Sequence, residues 1–427
     1  MSLIQRIEAL KRKKGLFALA DQMIHSGTTF LTGILVGRLL SVGEFGEFSL
    51  GLTLVVFSMV LQDNCLATPY TYRFHNKDNE SEEGLRAGAL IQSLMLSLMC
   101  SGLLFIAYAI LPQSDYADLK VILFTLAFAV PFLFVRETSR RIYFTEFRVM
   151  EALIMDAVIS ALQILLIIAF WHFNAISAAN VFIAMAAASF MGGLGAFLIH
   201  RKDFEFALSD IKKDTLENIR FGKWLMAGSF CHLGSLYLFP WIIYSITGEA
   251  KAGAFAACYT LVNLINPFIL GFNNYFRPHV MQAYSREGLE AMHTLIMRVT
   301  LYFIPVALVI SGFLALFGGG LVEFVYGDEF AGLGPIIAIV GISTVPVILN
   351  APIQLATLAI NRPQINPKFH SAAFVSTLFI GVPLVIHFEI IGAAIGYSTS
   401  VTVGFLALIY FYKKELAKLR LQLKDTQ

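Results

Sequence analysis

Two stretches of this chain, GEFSLGLTLV at residues 46–55 and GAFAACYTLV at residues 253–262, share a glycine, a phenylalanine and a TLV ending. At the same offset of 207 residues, HSGT at residues 25–28 corresponds to HLGS at residues 232–235. Over residues 15–55, ten of 41 positions are identical without a gap, which exceeds chance for this apolar composition. The sequence therefore predicts two homologous halves.

The composition is that of a membrane protein. Of the 427 residues, 57% are hydrophobic and 14% are charged, whereas a soluble protein has about 25% charged residues. The 31 basic and 29 acidic residues leave a net charge of +2, so we predict no nucleic-acid partner. The four cysteines lie in apolar runs without metal-ligand spacing, so we predict neither disulfides nor a metal site.

Charged and Gly/Pro-rich breaks divide the chain into twelve apolar segments, and a membrane-spanning helix needs about 20 such residues. Because each half contains an even number of segments, both halves start on the same side of the membrane. We therefore predict an all-α integral membrane protein of about twelve transmembrane helices in two parallel six-helix lobes. The predicted spans are 16–38, 48–66, 87–111, 119–137, 150–172, 175–200, 222–246, 252–273, 293–317, 336–361, 366–388 and 391–412.

The distribution of basic residues predicts the orientation. If the even-numbered connections and both termini lie on one side, that side holds 28 of the 31 Lys and Arg residues. Cytoplasmic loops carry this excess, so both termini are predicted to be cytoplasmic. The predicted parts are a basic amphipathic segment (1–14), an N-lobe (15–200), a cytoplasmic linker (201–221), a C-lobe (222–412) and a basic cytoplasmic tail (413–427). Residues 1–14, 204–219 and 413–423 have the amphipathic spacing of helices that lie on anionic lipid.

Polar residues inside the predicted membrane segments are the first candidate site. Asp21, His25, Thr28 and Thr32 have the spacing of a single stripe on helix 1. A stripe that faces lipid is costly, so we expect it to face protein or water. Together with Asp63 on helix 2 and His232 on helix 7, Asp21 and His25 are predicted to act in ion coupling or gating. We treat Asp21 as an unpaired charge whose removal leaves folding intact; the alternative is that Asp21 and Asp63 are solvated near the cytoplasmic face.

Arginines form the second candidate site, because the planar guanidinium group binds phosphate through two hydrogen bonds and stays charged. Arg277 directly precedes Pro278 at the predicted end of helix 8, and Arg298 lies about one turn into helix 9. We expect both to face a central cavity and to share one diphosphate. Arg136, at the inner end of helix 4, and Arg38, at the outer end of helix 1, are further candidates. The alternatives are snorkelling to lipid headgroups and, for Arg136, pairing with an acidic neighbour.

No catalytic or nucleotide-binding motif occurs in the sequence. The GxSxG, HExxH and Walker A patterns are missing, so neither a hydrolase nor a nucleotide-driven pump is indicated. We predict a transporter that needs no cofactor.

Four fragments carry a family resemblance: GRLLSVGEFGEFSLGLTLV (37–55), FGKWLMAGSF (221–230), AGAFAACYTLVNLINP (252–267) and FVYGDEFAG (324–332). With the pattern of six plus six helices, the chain resembles the polysaccharide-flippase (Wzx-like) branch of the multidrug/oligosaccharidyl-lipid/polysaccharide (MOP) exporter superfamily. The resemblance implies a flippase that moves an isoprenoid-diphosphate-linked oligosaccharide across the bacterial inner membrane by alternating access, for surface polysaccharide such as O-antigen. It also implies coupling to a gradient of H⁺ or Na⁺.

The partners implied by the resemblance are the lipid-linked oligosaccharide, membrane lipids and the polysaccharide polymerase machinery. Two other functions stay open at this point. One is a cation-coupled antiporter of drugs or metabolites with the same fold, in which Asp21 and Asp63 would bind the cation. The other is a membrane glycan polymerase or ligase.

Overall fold

The computed structural model describes the backbone of residues 3–75, 81–114, 116–200 and 211–425, and side chains over 15–75, 81–114, 116–195, 197–198, 215–220, 222–223 and 225–422. Part of the predicted linker (201–210), the end of the tail (426–427) and Asp115 in an outer connection lie outside the described residues. Over the described ranges all regular structure is helical and no strand occurs.

Within the described residues, seven helices end before the predicted linker (201–221), the eighth begins inside it, and seven more helices follow. The first group is α1 (Leu3–Leu39), α2 (Val42–Gln62), α3 (Thr68–His75), α4 (Glu82–Ile110), α5 (Ala117–Thr145), α6 (Val149–His172) and α7 (Ala178–His200). The second group is α8 (Ile211–Thr247), α9 (Glu249–Val262), α10 (Asn266–Glu287), α11 (Leu289–Tyr326), α12 (Gly334–Ile342), α13 (Thr344–Ala359), α14 (Ile365–Ser376) and α15 (Val382–Asp425). Short π or 3₁₀ turns join α2 to α3, α9 to α10, and α14 to α15.

Within the described residues, ten helical stretches are long and apolar enough to cross a membrane. The last of them, Ile365–Gln422, has 58 residues and would extend about 87 Å as one helix, against a hydrocarbon core of about 30 Å. The chain leaves the helical conformation at Glu389 (φ 51°, ψ −127°), so this stretch is two crossings. The ten stretches therefore make eleven crossings. α1 is the twelfth crossing, and it is not among the ten stretches because its polar stripe lowers its mean hydropathy. The prediction of twelve transmembrane helices is confirmed.

The bend at Glu389 divides the stretch Ile365–Gln422 into two arms, one before and one after this residue, and glycines allow the two arms to pack closely. A Cβ added to Gly396 would lie 2.8 Å from the Cα of Gly381, and one added to Gly404 would lie 3.1 Å from the Cβ of Ala373. These pairs are placed symmetrically about Glu389, so the arms run antiparallel. Small residues allow helix backbones in a membrane to approach this closely.

The chain divides into two compact units, one of residues 1–40 and 47–226, the other of residues 41–46 and 227–427. Each unit holds six crossings, as the two-lobe prediction requires. In the second unit, the shared glycines of the two repeat motifs meet. A Cβ on Gly46 would lie 2.2 Å from the backbone oxygen of Glu249, and one on Gly253 would lie 2.0 Å from that of Val42. This reciprocal contact explains why both motifs carry glycine there.

Several helices are longer than hydropathy predicts. α5 continues to Thr145, and α10 continues through Pro278 to Glu287. The backbone of residues 3–14 belongs to α1, and residues 413–425 belong to α15, so these basic segments extend membrane helices and are not separate surface helices. Hydropathy finds only the part of a helix that lies in hydrocarbon, whereas backbone hydrogen bonding continues into the polar ends.

Candidate functional site

The polar stripe of α1 packs against α5 and α6 in the first unit. Asp21 is fully buried and accepts a hydrogen bond from Arg140 Nη2 to Oδ2 at 2.6 Å. Further along α1, Thr32 Oγ1 accepts one from Gln163 Nε2 at 2.8 Å. The prediction that the stripe faces protein is confirmed.

Arg140 links two buried carboxylates. Its Nε donates to Asp156 Oδ2 at 2.7 Å, while Nη2 binds Asp21. Asp156 is also fully buried and accepts a second hydrogen bond, from Arg136 Nη2 to Oδ1, at 3.1 Å. Glu137 lies 3.7 Å from Arg140. We call Asp21, His25, Arg136, Arg140 and Asp156 the charge cluster.

His25 completes the charge cluster. Its Nδ1 lies 3.2 Å from Arg136 Nη2. An arginine can only donate, so this hydrogen bond requires an unprotonated Nδ1. In this arrangement Nδ1 of the imidazole accepts a hydrogen bond from the Arg136 guanidinium group, and only Nε2 carries a proton.

Two expectations about this region are wrong. Asp21 is not an unpaired charge, since Arg140 neutralises it. Arg136 does not lie at the inner end of its helix, because α5 runs on to Thr145, and it pairs with Asp156. Within the charge cluster two arginines face two aspartates, so ion pairing offsets the free-energy cost of burying these charges in low-dielectric surroundings.

Asp63 and Arg38 lie apart from the charge cluster. Asp63, in the π turn after α2, forms an ion pair with Arg141. Both side chains are partly exposed, at 46% and 37%. Arg38 lies in the last turn of α1, about 26 Å along the helix from Asp21.

In the second unit, His232 of α8 meets His370 of α14. Their Nδ1 atoms are 3.1 Å apart and their ring centroids 4.2 Å apart. One nitrogen must donate and the other accept, so the two imidazoles share one proton between them. We call His232 and His370 the histidine pair. Thr377 Oγ1 donates to the backbone oxygen of Ser235 in the same helix contact.

Arg277 and Arg298 lie on α10 and α11, which form a hairpin around Gly288. They are about 16 Å and 15 Å from this turn along their helices. The rings of Phe272 and Phe303, five residues from Arg277 and Arg298 respectively, contact each other with their centroids 4.7 Å apart, so the two arginines lie at the same depth. Both side chains are exposed, and neither makes an ion pair or hydrogen bond with any residue whose side chain is described. α10 continues past Pro278 for nine residues, so the expectation that the helix ends beside Arg277 is wrong.

Sequence reasoning missed Arg140 and His370. Arg140 was assigned to a connection, because the predicted span ended at residue 137. The signal that could have found it is its spacing of four from Arg136, which matches the spacing of Asp21 and His25. His370 has no counterpart in the repeat motifs, so nothing in the sequence pairs it with His232. No group of three or more metal-ligating side chains occurs in the described part of the chain.

Several solved structures have the same fold as this chain. An inward-facing multidrug resistance MATE family transporter of the MOP superfamily matches with a TM-score of 0.70, 16% identity and 95% of each chain covered. Lipid II flippase MurJ in an inward closed conformation matches with a TM-score of 0.72, 13% identity, and 95% of this chain and 90% of that chain covered. A MOP superfamily transporter from Pyrococcus furiosus matches with a TM-score of 0.64, 16% identity and 95% of each chain covered. The fold is that of the MOP exporter superfamily, a class of multi-pass membrane transporters and flippases.

The family itself comes from the sequence. A family model described as "Polysaccharide biosynthesis protein" matches residues 12–278, more than half of the chain. The chain therefore belongs to the polysaccharide biosynthesis protein family. A search of curated proteins finds no significant match.

Proposed function

We propose that this protein is a flippase for an isoprenoid-diphosphate-linked oligosaccharide in the bacterial inner membrane. It moves the lipid-linked sugar from the cytoplasmic to the outer leaflet by alternating access, for surface polysaccharide such as O-antigen, without catalysing a reaction. Both termini are cytoplasmic, and the polysaccharide polymerase machinery uses the flipped product. Family membership and the MOP fold support this proposal.

The proposal rests on which charged side chains have a partner of opposite charge and which do not. The buried carboxylates of Asp21 and Asp156 are neutralised by arginines of the same unit. Arg277 and Arg298 instead present two exposed guanidinium groups at one depth, with no partner among the described side chains. A cation near a membrane requires an anion, and a diphosphate supplies one that guanidinium groups bind well.

The same observation weighs against a cation antiporter. That function would need Asp21 and Asp63 to be available to a cation, yet Arg140 and Arg141 already bind them. A polymerase or ligase is disfavoured by the short outer connections of the second unit, which are Gly248 alone between α8 and α9, residues 327–333 between α11 and α12, and the bend at Glu389 within α15.

Ion coupling is assigned to the charge cluster and the histidine pair. Asp21 Oδ1 is buried and has no hydrogen-bond partner among the described residues, so this carboxylate can accept H⁺ or Na⁺ while Oδ2 binds Arg140. A proton added to the histidine pair would leave two N–H donors facing each other and would separate α8 from α14. The exposed Asp63–Arg141 pair is the gating contact in this proposal.

The test is glycan export by a flippase-null strain complemented with Arg277→Ala, Arg298→Ala and the corresponding lysine variants at matched expression. Loss of one charge-assisted hydrogen bond costs about 1.5 to 3 kcal/mol, about tenfold to a hundredfold in affinity. We expect the alanine variants to lose most export and the lysine variants to keep part of it.

Arg286→Ala is the matched control, since Arg286 is exposed in the last turn of the same helix α10. It should export like wild type. Wild-type export by both alanine variants would mean that Arg277 and Arg298 only snorkel, and the diphosphate site would have to be sought at Arg38 and Arg136.

A further inference from the structure

The helix that carries Arg277 also carries exposed carboxamides inside the apolar stretch Glu249–Glu287, which is long enough to cross a membrane. Asn266 and Asn274 lie 11 and 3 residues before Arg277 on α10, and all three side chains are exposed. At 100° per residue these three positions fall within about 80° of arc. We call them the amide face; its length from Asn266 to Arg277 is about 16 Å.

The amide face has hydrogen-bonding capacity that the protein does not use. Asn266 Nδ2 donates to Asn263 Oδ1 at 3.3 Å, which orients the Asn266 amide and leaves its oxygen open. Asn274 makes no side-chain hydrogen bond with any described residue. Because Pro278 has no N–H, the backbone oxygen of Asn274 also lacks its helical donor.

The internal repeat shows that the fold does not require these residues. Counting on from the shared TLV run, Met59 of α2 corresponds to Asn266. Counting back from Pro69, which corresponds to Pro278, Cys65 and Thr68 correspond to Asn274 and Arg277. The equivalent crossing of the first unit is therefore built without the amide face. Exposed amides in hydrocarbon are costly, so the second unit keeps them for a polar ligand.

We propose that the amide face binds the sugar hydroxyl groups of the lipid-linked oligosaccharide, while Arg277 at its cytoplasmic end binds the diphosphate. A carboxamide both donates and accepts, as a hydroxyl group does, and it carries no charge. The neutral amides thus suit a neutral polyhydroxyl ligand, and the single cation suits the anion attached to it. This assignment rests on the proposed function and adds the residues that recognise the glycan.

The experiment measures binding of undecaprenyl diphosphate and of undecaprenyl-diphosphate-N-acetylglucosamine to the purified full-length protein in nanodiscs. Wild type should bind the sugar-bearing lipid about tenfold more tightly. One neutral hydrogen bond corresponds to about twofold to tenfold in affinity, so Asn266→Leu and Asn274→Leu should each lower this preference by that factor. Neither change should alter the affinity for undecaprenyl diphosphate. Arg277→Ala should weaken both lipids equally.

Leu270→Met is the matched control, because Leu270 is exposed on the same helix face between the two amides, and it should leave the preference unchanged. Asn266→Gln, which keeps the amide, should retain part of the preference if Asn266→Leu loses it. An unchanged affinity for undecaprenyl diphosphate verifies that the asparagine variants and Leu270→Met are folded.

The proposal is overturned if wild type shows no preference for the sugar, or if the leucine variants weaken both lipids equally or neither. The last result would mean that the amides only line a hydrated path. Failure of wild type to bind either lipid would instead contradict the proposed flippase function, which separates the two conclusions.

Discussion

At the scale of single residues, Arg140 holds the charge cluster together. It binds Asp21 at 2.6 Å and Asp156 at 2.7 Å, and both carboxylates are fully buried. Each aspartate therefore depends on the same guanidinium group. Removing one partner of a buried ion pair leaves the other uncompensated, at a cost of about 3 to 5 kcal/mol.

We therefore expect Arg140→Gln to destabilise the protein more than Asp21→Asn, since the arginine variant leaves Asp21 without a cation and Asp156 with Arg136 alone, whereas the aspartate variant leaves Arg140 bound to Asp156. Thermal unfolding in detergent measures this order. The double variant Asp21→Asn with Arg140→Gln should cost less than the sum of the single changes. Glu137→Gln is the control, because Glu137 is 31% exposed and 3.7 Å from Arg140 and should cost less than about 1 kcal/mol. Equal melting temperatures for the Arg140 and Asp21 variants would contradict this account.

A second residue-scale prediction separates a structural from a coupling role for His25. Its Nδ1 accepts from Arg136 at 3.2 Å, and a glutamine can replace that acceptor but cannot titrate. We expect His25→Gln to keep protein level and melting temperature but to lose export driven by a proton gradient, while His25→Ala loses both export and some stability. The readout is glycan export with and without an uncoupler in complemented cells. If His25→Gln exports glycan at the wild-type level and an uncoupler still abolishes this export, His25 has a structural role alone.

At the scale of elements, close glycine contacts set how helices meet. The two arms on either side of Glu389 pack closely because Gly396 approaches Gly381 without an intervening Cβ. The histidine pair shows the same dependence on helix contact, because Gly234, two residues beyond His232, lies against the ring of Phe374. The close approach of helices at these glycines therefore fixes where the imidazoles of the histidine pair lie.

We expect Gly396→Ala to lower stability by about 1 to 3 kcal/mol, the cost of overpacking a close contact, since its Cβ would lie 2.8 Å from the Cα of Gly381. Gly312→Ala is the control: it lies within α11 with nothing within 4 Å of an added Cβ, and alanine favours helix by about 1 kcal/mol. Thermal unfolding should therefore shift down for Gly396→Ala and not for Gly312→Ala. A downward shift of equal size in both would refute the packing argument.

At the scale of the whole molecule, the membrane fixes orientation through basic residues. Of 31 Lys and Arg residues, 28 lie on the predicted cytoplasmic side. The three on the other side include Lys251, which forms an ion pair with Glu389. Both of these residues lie where the predicted topology has outer helix ends.

Single-cysteine labelling in a cysteine-free variant tests this orientation. Cysteines at positions 115, 249 and 328 should react with an impermeant maleimide added from outside, and a cysteine at position 288 should react only after permeabilisation. The reason is the positive-inside bias, which places each of the first three in a connection with few basic residues. Reaction of position 249 only from the cytoplasmic side would invert the topology.

The number of crossings, the two halves and the family could all be predicted from the amino-acid sequence, because these depend on local composition. Hydrocarbon selects apolar segments of fixed length, and duplication leaves matching motifs such as those at residues 46–55 and 253–262. The Asp21 and His25 stripe could be predicted because helical periodicity is local. The partners of these two residues could not be predicted, since Arg140 is 119 residues from Asp21 and Arg136 is 111 residues from His25. The same holds for His232 and His370, which are 138 residues apart. Which charges are neutralised became evident from the packing of the helices, because ion pairing depends on distances of a few ångströms between them. This packing also places Arg277 and Arg298 at one depth, through the hairpin at Gly288.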